Sequence, residues 1–165
     1  MRSESASIIS ARNGFFSARS SSSAYLGGSH GVSDREAFGY RFETPDRTIV
    51  ISGDTSPTKS IIDNCNGCDV LIHEGYTQAS FDAVTPAWQA YRLAGHASSI
   101  QLAEIASKAK PKLLILYHRE NPGGGRDPAI VAKASEEQMT KEMQEAFVRL
   151  GYTGKFVTGH DPDIY

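Results

Sequence analysis

Thr48-Ile49-Val50-Ile51-Ser52-Gly53-Asp54-Thr55 is the stretch on which the fold turns. A β-branched apolar run ends at a glycine, and an aspartate follows at once. The same grammar recurs downstream. Val70-Leu71-Ile72 runs into His73-Glu74-Gly75, and Leu113-Leu114-Ile115-Leu116 runs into Tyr117-His118-Arg119. A fourth polar motif, Gly95-His96-Ala97-Ser98, stands ahead of a helical pattern. Open α/β sheets build their sites where strands end, and aspartate and histidine are ligand types that zinc accepts. Any one of these residues alone reads as a loop residue capping its strand. Four such motifs in one chain point instead to a hydrolytic metal site.

Working outward, Ala37-Phe38-Gly39-Tyr40-Arg41-Phe42-Glu43-Thr44 alternates apolar with polar residues and predicts a half-buried strand. Pro45-Asp46-Arg47 is turn chemistry, so this strand and Thr48–Ser52 are expected to form a hairpin. Ser56-Pro57-Thr58 resembles a helix start, with a short helix over Ser60–Asn64. A loop or irregular helix containing Trp88 and Tyr91 leads to Gly95. Ser98 or Ser99 can cap a helix from Ile100 to Lys108, which Pro111 ends. Asn121 to Pro128 reads as a flexible loop, and its triple glycine lacks the Lys-Ser/Thr of a phosphate loop. Met139, Met143, Phe147 and Leu150 share one face of a helix over Glu136–Leu150 that Gly151 stops. Lys155-Phe156-Val157 is a last short strand. This alternation of strands and helices predicts an α/β fold.

The 165 residues fit one domain, and 39% are hydrophobic, with the deficit at the N-terminus. The formal charge of -2 gives no electrostatic case for nucleic acid or an anionic membrane. No apolar run reaches membrane-span length. Residues 1–33 are rich in Ser and Arg and have no hydrophobic period, which predicts a disordered tail, although a targeting segment has a similar composition. Cys65 and Cys68 form a single C-x-x-C, half of what a structural zinc site needs. The pair precedes a strand, where a thioredoxin-like motif would follow one, so two small residues packing a loop are expected. Nothing in the sequence implies an oxidising compartment, and a cytoplasmic location is the expectation.

From about Phe38 to Asp161 the ordered motifs resemble the C-terminal half of a metallo-β-lactamase-fold hydrolase, in its ribonuclease Z and arylsulfatase-like branch. The resemblance implies half of an αββα sandwich, a mixed sheet with helices on one face. It implies two zinc ions in a complete site. Carried over position by position, Asp54 resembles the carboxylate that bridges the two metals, and His118 a terminal imidazole ligand. His30 corresponds to a further metal ligand, with a spacing slightly long for that place. His96 resembles the non-ligand histidine that protonates a leaving group, and Glu74 the acid that orients it. His73 is expected to turn into the core, and His160 and Arg119 to lie at the surface.

The chain departs from that family in one respect. The metal motif His-x-His-x-Asp-His occurs nowhere in it. Two expectations therefore stand side by side. One is a zinc hydrolase of phosphodiester or ester bonds whose remaining ligands come from elsewhere. The other is a non-catalytic module that keeps the scaffold. A half sandwich also predicts a partner, either the missing N-terminal half or a second copy of the chain. The substrate class, small molecule or RNA, stays open, and no basic arm for transfer RNA is found.

Overall fold

The computed structural model describes residues 21–29, 36–119 and 127–160. One mixed sheet holds six strands in chain order. β1 (Ser21–Ser29), β2 (Glu36–Glu43) and β3 (Thr48–Ile51) pair antiparallel. β4 (Val70–Gly75), β5 (Leu113–Arg119) and β6 (Lys155–Thr158) then run parallel to β3. Parallel neighbours need crossover connections. α1 (Lys59–Cys65) supplies the first of these. α2 (Gln78–Ala83), α3 (Pro86–Gly95) and α4 (Ser99–Ala109) supply the second, and α5 (Pro128–Lys133) and α6 (Glu136–Leu150) the third.

The hairpin of β2 and β3 forms as expected, its turn closed by Thr44 N–H donating to the Arg47 carbonyl at 2.9 Å. Asp69 binds the starts of three strands together. Its carboxylate accepts from Thr48 N–H and from Lys112 Nζ, both at 2.6 Å, and these contacts hold its pKa below the usual carboxylate value. The region expected as a loop or irregular helix resolves into α2 and α3. Thr77 caps α2 through its side chain, and Pro86 opens α3. Glu142 of α6 fixes the start of α2, accepting from Gln78 N–H at 2.7 Å, Ala79 N–H at 2.9 Å, and the Ser99 hydroxyl. Of the two serines offered as caps for α4, Ser98 takes the role, in a full capping box with Gln101.

Three features differ from expectation. Of the stretch expected as a flexible loop, residues 121–126 lie outside the described residues, and its last two open a helix that was not expected: Asp127 caps α5 and Pro128 takes its first position. Ser21–Ser29, inside the stretch expected to be disordered, form β1; the backbone ladder to β2 orders them without a hydrophobic period. The rest of that stretch, residues 1–20 and 30–33, lies outside the described residues. Cys65 and Cys68 are joined by a disulfide, where two unbonded packing residues were expected. The left-handed cap at Asn66 and the turn at Gly67 fold the chain back sharply enough for the sulfurs to meet.

Alternation along the strands sorts the sheet into two unlike faces. Val50, Leu71, Leu114 and Leu116 point to one face and are fully buried under α1, α4 and α6, with Ile61, Leu102, Met139 and Met143 opposite them. Burying each such side chain contributes roughly 2 kcal/mol. The register fixes rows on the other face. Phe42, Ile49, Val70 and Leu113 stand side by side. Tyr40, Ile51, Ile72, Ile115 and Val157 form the next row. The helices that pack on the sheet leave this face open. Among the described residues no helix is long and apolar enough to cross a membrane.

Candidate functional site

The polar motifs gather at the C-terminal ends of the parallel strands. After β3 the chain turns at Gly53, whose φ is +67°. A β-carbon there would stand 2.6 Å from the Phe38 carbonyl oxygen, so only glycine fits. The turn carries Asp54 to the sheet edge. On β5, His118 has a φ of +41°, a left-handed conformation that is uncommon for a residue other than glycine. Such outliers concentrate at functional sites. The two side chains meet, with His118 Nε2 3.5 Å from Asp54 Oδ2.

A second pair lies beside the first. Glu74, at the end of β4, is fully buried. Its Oε1 accepts from Ala97 N–H at 3.0 Å, and its Oε2 lies 3.3 Å from His96 Nδ1. Burial pushes the Glu74 carboxyl up to about 7, against the opposing pull of His96. Asp54 adds to the rise by charge repulsion, which places the two carboxylates in one electrostatic neighbourhood. Tyr117 shares it. Burial, and the charges of Asp54 and Glu74, raise its phenol to about 12. His96 caps the C-terminus of α3, donating its N–H to the Arg92 carbonyl at 2.8 Å. The Tyr91 ring lies 5.6 Å from the His96 ring, and His96 is only 2% exposed.

The structure thus brings together Asp54 with His118, and Glu74 with His96. His30 falls outside the described residues. His73 turns into the core as expected. Its Nδ1–H donates to the Glu74 carbonyl at 2.8 Å, its Nε2 has no hydrogen-bond partner among the described residues, and burial lowers its pKa to about 4. His160 is exposed, and its Nε2 lies 2.9 Å from Glu136 Oε2. Arg119 lies at the surface and reaches the same carboxylate oxygen at 3.5 Å. The sequence reading missed the role of Glu136, which draws these two side chains together. It also gave Tyr117 no role, although alternation from Ile115 puts it on the face of Glu74.

Asp54 and His118 supply two donors. A catalytic zinc takes three protein ligands and a structural zinc four. Among the described residues no group of three or more His, Cys, Asp or Glu side chains is arranged to hold a metal ion. The described residues therefore do not by themselves complete a metal site. The two pairs can nonetheless place an acid, a base and an imidazole along one sheet edge.

The chain matches no family profile. It is 40% identical over 74 residues to ribonuclease Z of Picrophilus torridus, a stretch covering 45% of this chain and 22% of that protein. It is 41% identical over 78 residues to ribonuclease BN of Proteus mirabilis, covering 46% of this chain and 23% of the relative. The chain thus spans less than a quarter of the length of these curated relatives. Among solved structures, it superposes on the metallo-β-lactamase fold protein YhfI from Bacillus subtilis with a TM-score of 0.58 and 20% identity, covering 85% of this chain and 46% of that one. The metallo hydrolase Igni18 from Ignicoccus hospitalis gives 0.51 at 11% identity, over 84% and 50% of the two chains. The chain has the architecture of half a metallo-β-lactamase-type αββα sandwich, a mixed sheet with helices on one face, and it is similar in sequence to the ribonuclease Z proteins.

Proposed function

We propose that the chain forms part of a metal-dependent hydrolase of the metallo-β-lactamase superfamily, ribonuclease Z-like, acting on a phosphodiester or ester bond. The observation that carries this reading is the meeting of Asp54 and His118 at 3.5 Å beside the Glu74–His96 pair. The sequence similarity to ribonuclease Z supports it. In this reading Asp54 and His118 are the chain's contribution to a zinc site, and the remaining donors come from beyond the described residues. Glu74 holds His96 by Nδ1 and fixes the imidazole for proton delivery to a leaving group. The raised pKa of Glu74 suits a couple that shares a proton near neutral pH.

The two donors found among the described residues, Asp54 and His118, also suit a second reading, a non-catalytic module that keeps the scaffold. Isothermal titration with zinc separates the two. The hydrolase reading expects weak binding that Asp54→Ala and His118→Ala each abolish. No binding at all, or binding that survives both substitutions, favours the scaffold module.

A further inference from the structure

α3 is capped by His96, yet it has little apolar hold on the rest of the chain. Of its residues only Arg92 and Gly95 are buried. Trp88 and Leu93 stay open to solvent at 40% and 54%. A surface helix is ordinarily seated by an apolar stripe, whereas α3 is seated by a guanidinium. Arg92 is fully buried, at 0% exposure. A buried charge is costly, and an apolar side chain of similar volume is often no less stable in its place. An arginine here calls for a reason other than stability. We propose that Arg92 is a positioning residue of the candidate site, which sets the His96 imidazole against Glu74 by gripping the chain on both sides of it. The role rests on the reading of His96 as the proton donor.

Arg92 acts through its backbone and its side chain at once. Its carbonyl accepts from His96 N–H at 2.8 Å and fixes that residue from the N-terminal side. Its guanidinium carbon lies 4.9 Å from the centre of the Tyr76 ring, a cation–π distance. Tyr76 in turn holds the residues that follow His96. Its N–H donates to the Ala97 carbonyl at 3.0 Å, and its carbonyl accepts from Ser99 N–H at 2.8 Å. Arg92 Nη1 also donates to Ser80 Oγ at 3.2 Å, which ties the grip to α2. Only a planar fork can face a ring and reach a hydroxyl together; lysine offers a point charge. β4 carries Glu74 and ends at Gly75, and Tyr76 follows directly. The acid and the imidazole thus sit on two segments that Arg92 joins. The 3.3 Å contact between Glu74 Oε2 and His96 Nδ1 spans that join.

Amide hydrogen exchange of the full chain, read residue by residue by NMR, tests the grip. Ala97 N–H, which donates to Glu74 Oε1, reports the segment of His96, and Leu114 in the core reports global opening. Arg92→Met should speed exchange at Ala97 at least about fivefold more than at Leu114, as loss of a buried cation–π contact implies. Arg92→Lys keeps a cation for the ring and should fall between methionine and the wild type. The His96 Nδ1 resonance, assigned with His96→Gln, gives an independent signature. In Arg92→Met it should move towards its position in Glu74→Ala. Should Arg92→Met fail to fold, Ser80→Ala and Arg92→Lys each weaken the grip and are read by the same comparison. Equal acceleration at Ala97 and Leu114, or an Nδ1 resonance that stays in place, makes Arg92 a residue of stability alone and overturns the proposal. Lysine no better than methionine overturns it as well. Neither readout uses metal or turnover. A failure here therefore leaves the hydrolase reading standing, and a failed zinc titration leaves the grip of Arg92 to be judged by exchange alone.

Discussion

The Glu74 carboxylate and the His96 imidazole meet at 3.3 Å across 22 positions of the chain, while the neighbouring His73 turns to the opposite face of the sheet. One strand end thus buries an acid and an imidazole on its two sides, and their titrations oppose each other. His73 has a folded pKa of about 4 against 6.5 for the free side chain, so its contribution to stability is present above pH 6.5 and is lost as pH falls towards 4. The loss is on the order of 3 kcal/mol. Glu74 has a folded pKa of about 7 against 4.5, so its contribution is present below pH 4.5 and is lost as pH rises towards 7. The wild-type chain should therefore show a shallow stability profile between these limits. Glu74→Gln should unmask the histidine, giving stability that climbs with pH. His73→Leu should unmask the acid, giving stability that declines with pH. Urea unfolding across a pH series reads both slopes. Parallel slopes in the two variants would show that these groups do not titrate as their burial requires.

Zinc affinity and turnover should both be low for the chain alone. Two donors, Asp54 and His118, hold a metal far less firmly than a complete site does. Phosphodiester, aryl sulfate and β-lactam substrates should show negligible hydrolysis. Two tightly bound ions per chain, or metal-dependent turnover that Asp54→Ala removes, would mean that further ligands exist among residues not described. If turnover is restored by donors from another polypeptide, His96→Ala should lower it with metal content nearly intact.

How far the sequence could be read depends on what kind of force shaped each part. The buried strands were legible because Val50, Leu71 and Leu114 lie in unbroken apolar runs. The helix of α6 was legible because Met139, Met143 and Phe147 repeat at helical spacing. The sharing of one edge by Asp54 and His118 followed from strand ends in a parallel sheet. β1 was not legible, since its order comes from backbone pairing with β2 and a Ser-rich strand carries no periodic signal. α5 was hidden because Asp127-Pro128 reads equally well as the end of a turn and as a cap with its first residue. The contact of Glu136 with Arg119 and His160 depends on where α6 crosses the strand ends, which no local pattern encodes.

Gly53 is a position where both space and backbone forbid a side chain. Gly53→Ala should destabilise the chain by about 2–4 kcal/mol, combining the left-handed conformation with the collision against the Phe38 carbonyl. The substitution should also displace Asp54, so any zinc affinity should fall in step. Denaturant unfolding and zinc titration of the same variant check the two effects together. An Ala variant as stable as the wild type would mean that the turn relaxes into another shape without cost.

His96 carries the proposed proton transfer yet lies under Tyr91, so access to it must be gated by α3. Trp88 packs edge-on against Tyr91 at 5.6 Å between ring centroids and steadies that cover from the surface. Removing the ring should open the site without touching the Glu74 contact. Diethyl pyrocarbonate modification, mapped by mass spectrometry, distinguishes the histidines by exposure. In the wild type, His118 and His160 should react, being about half exposed, while His73 and His96 stay protected. In Tyr91→Ala, His96 should join the reactive set and His73 should remain protected. Protection of His96 in that variant would place its cover elsewhere. Reaction of His73 alongside it would instead report general loosening of the core, and the gate would lose its support.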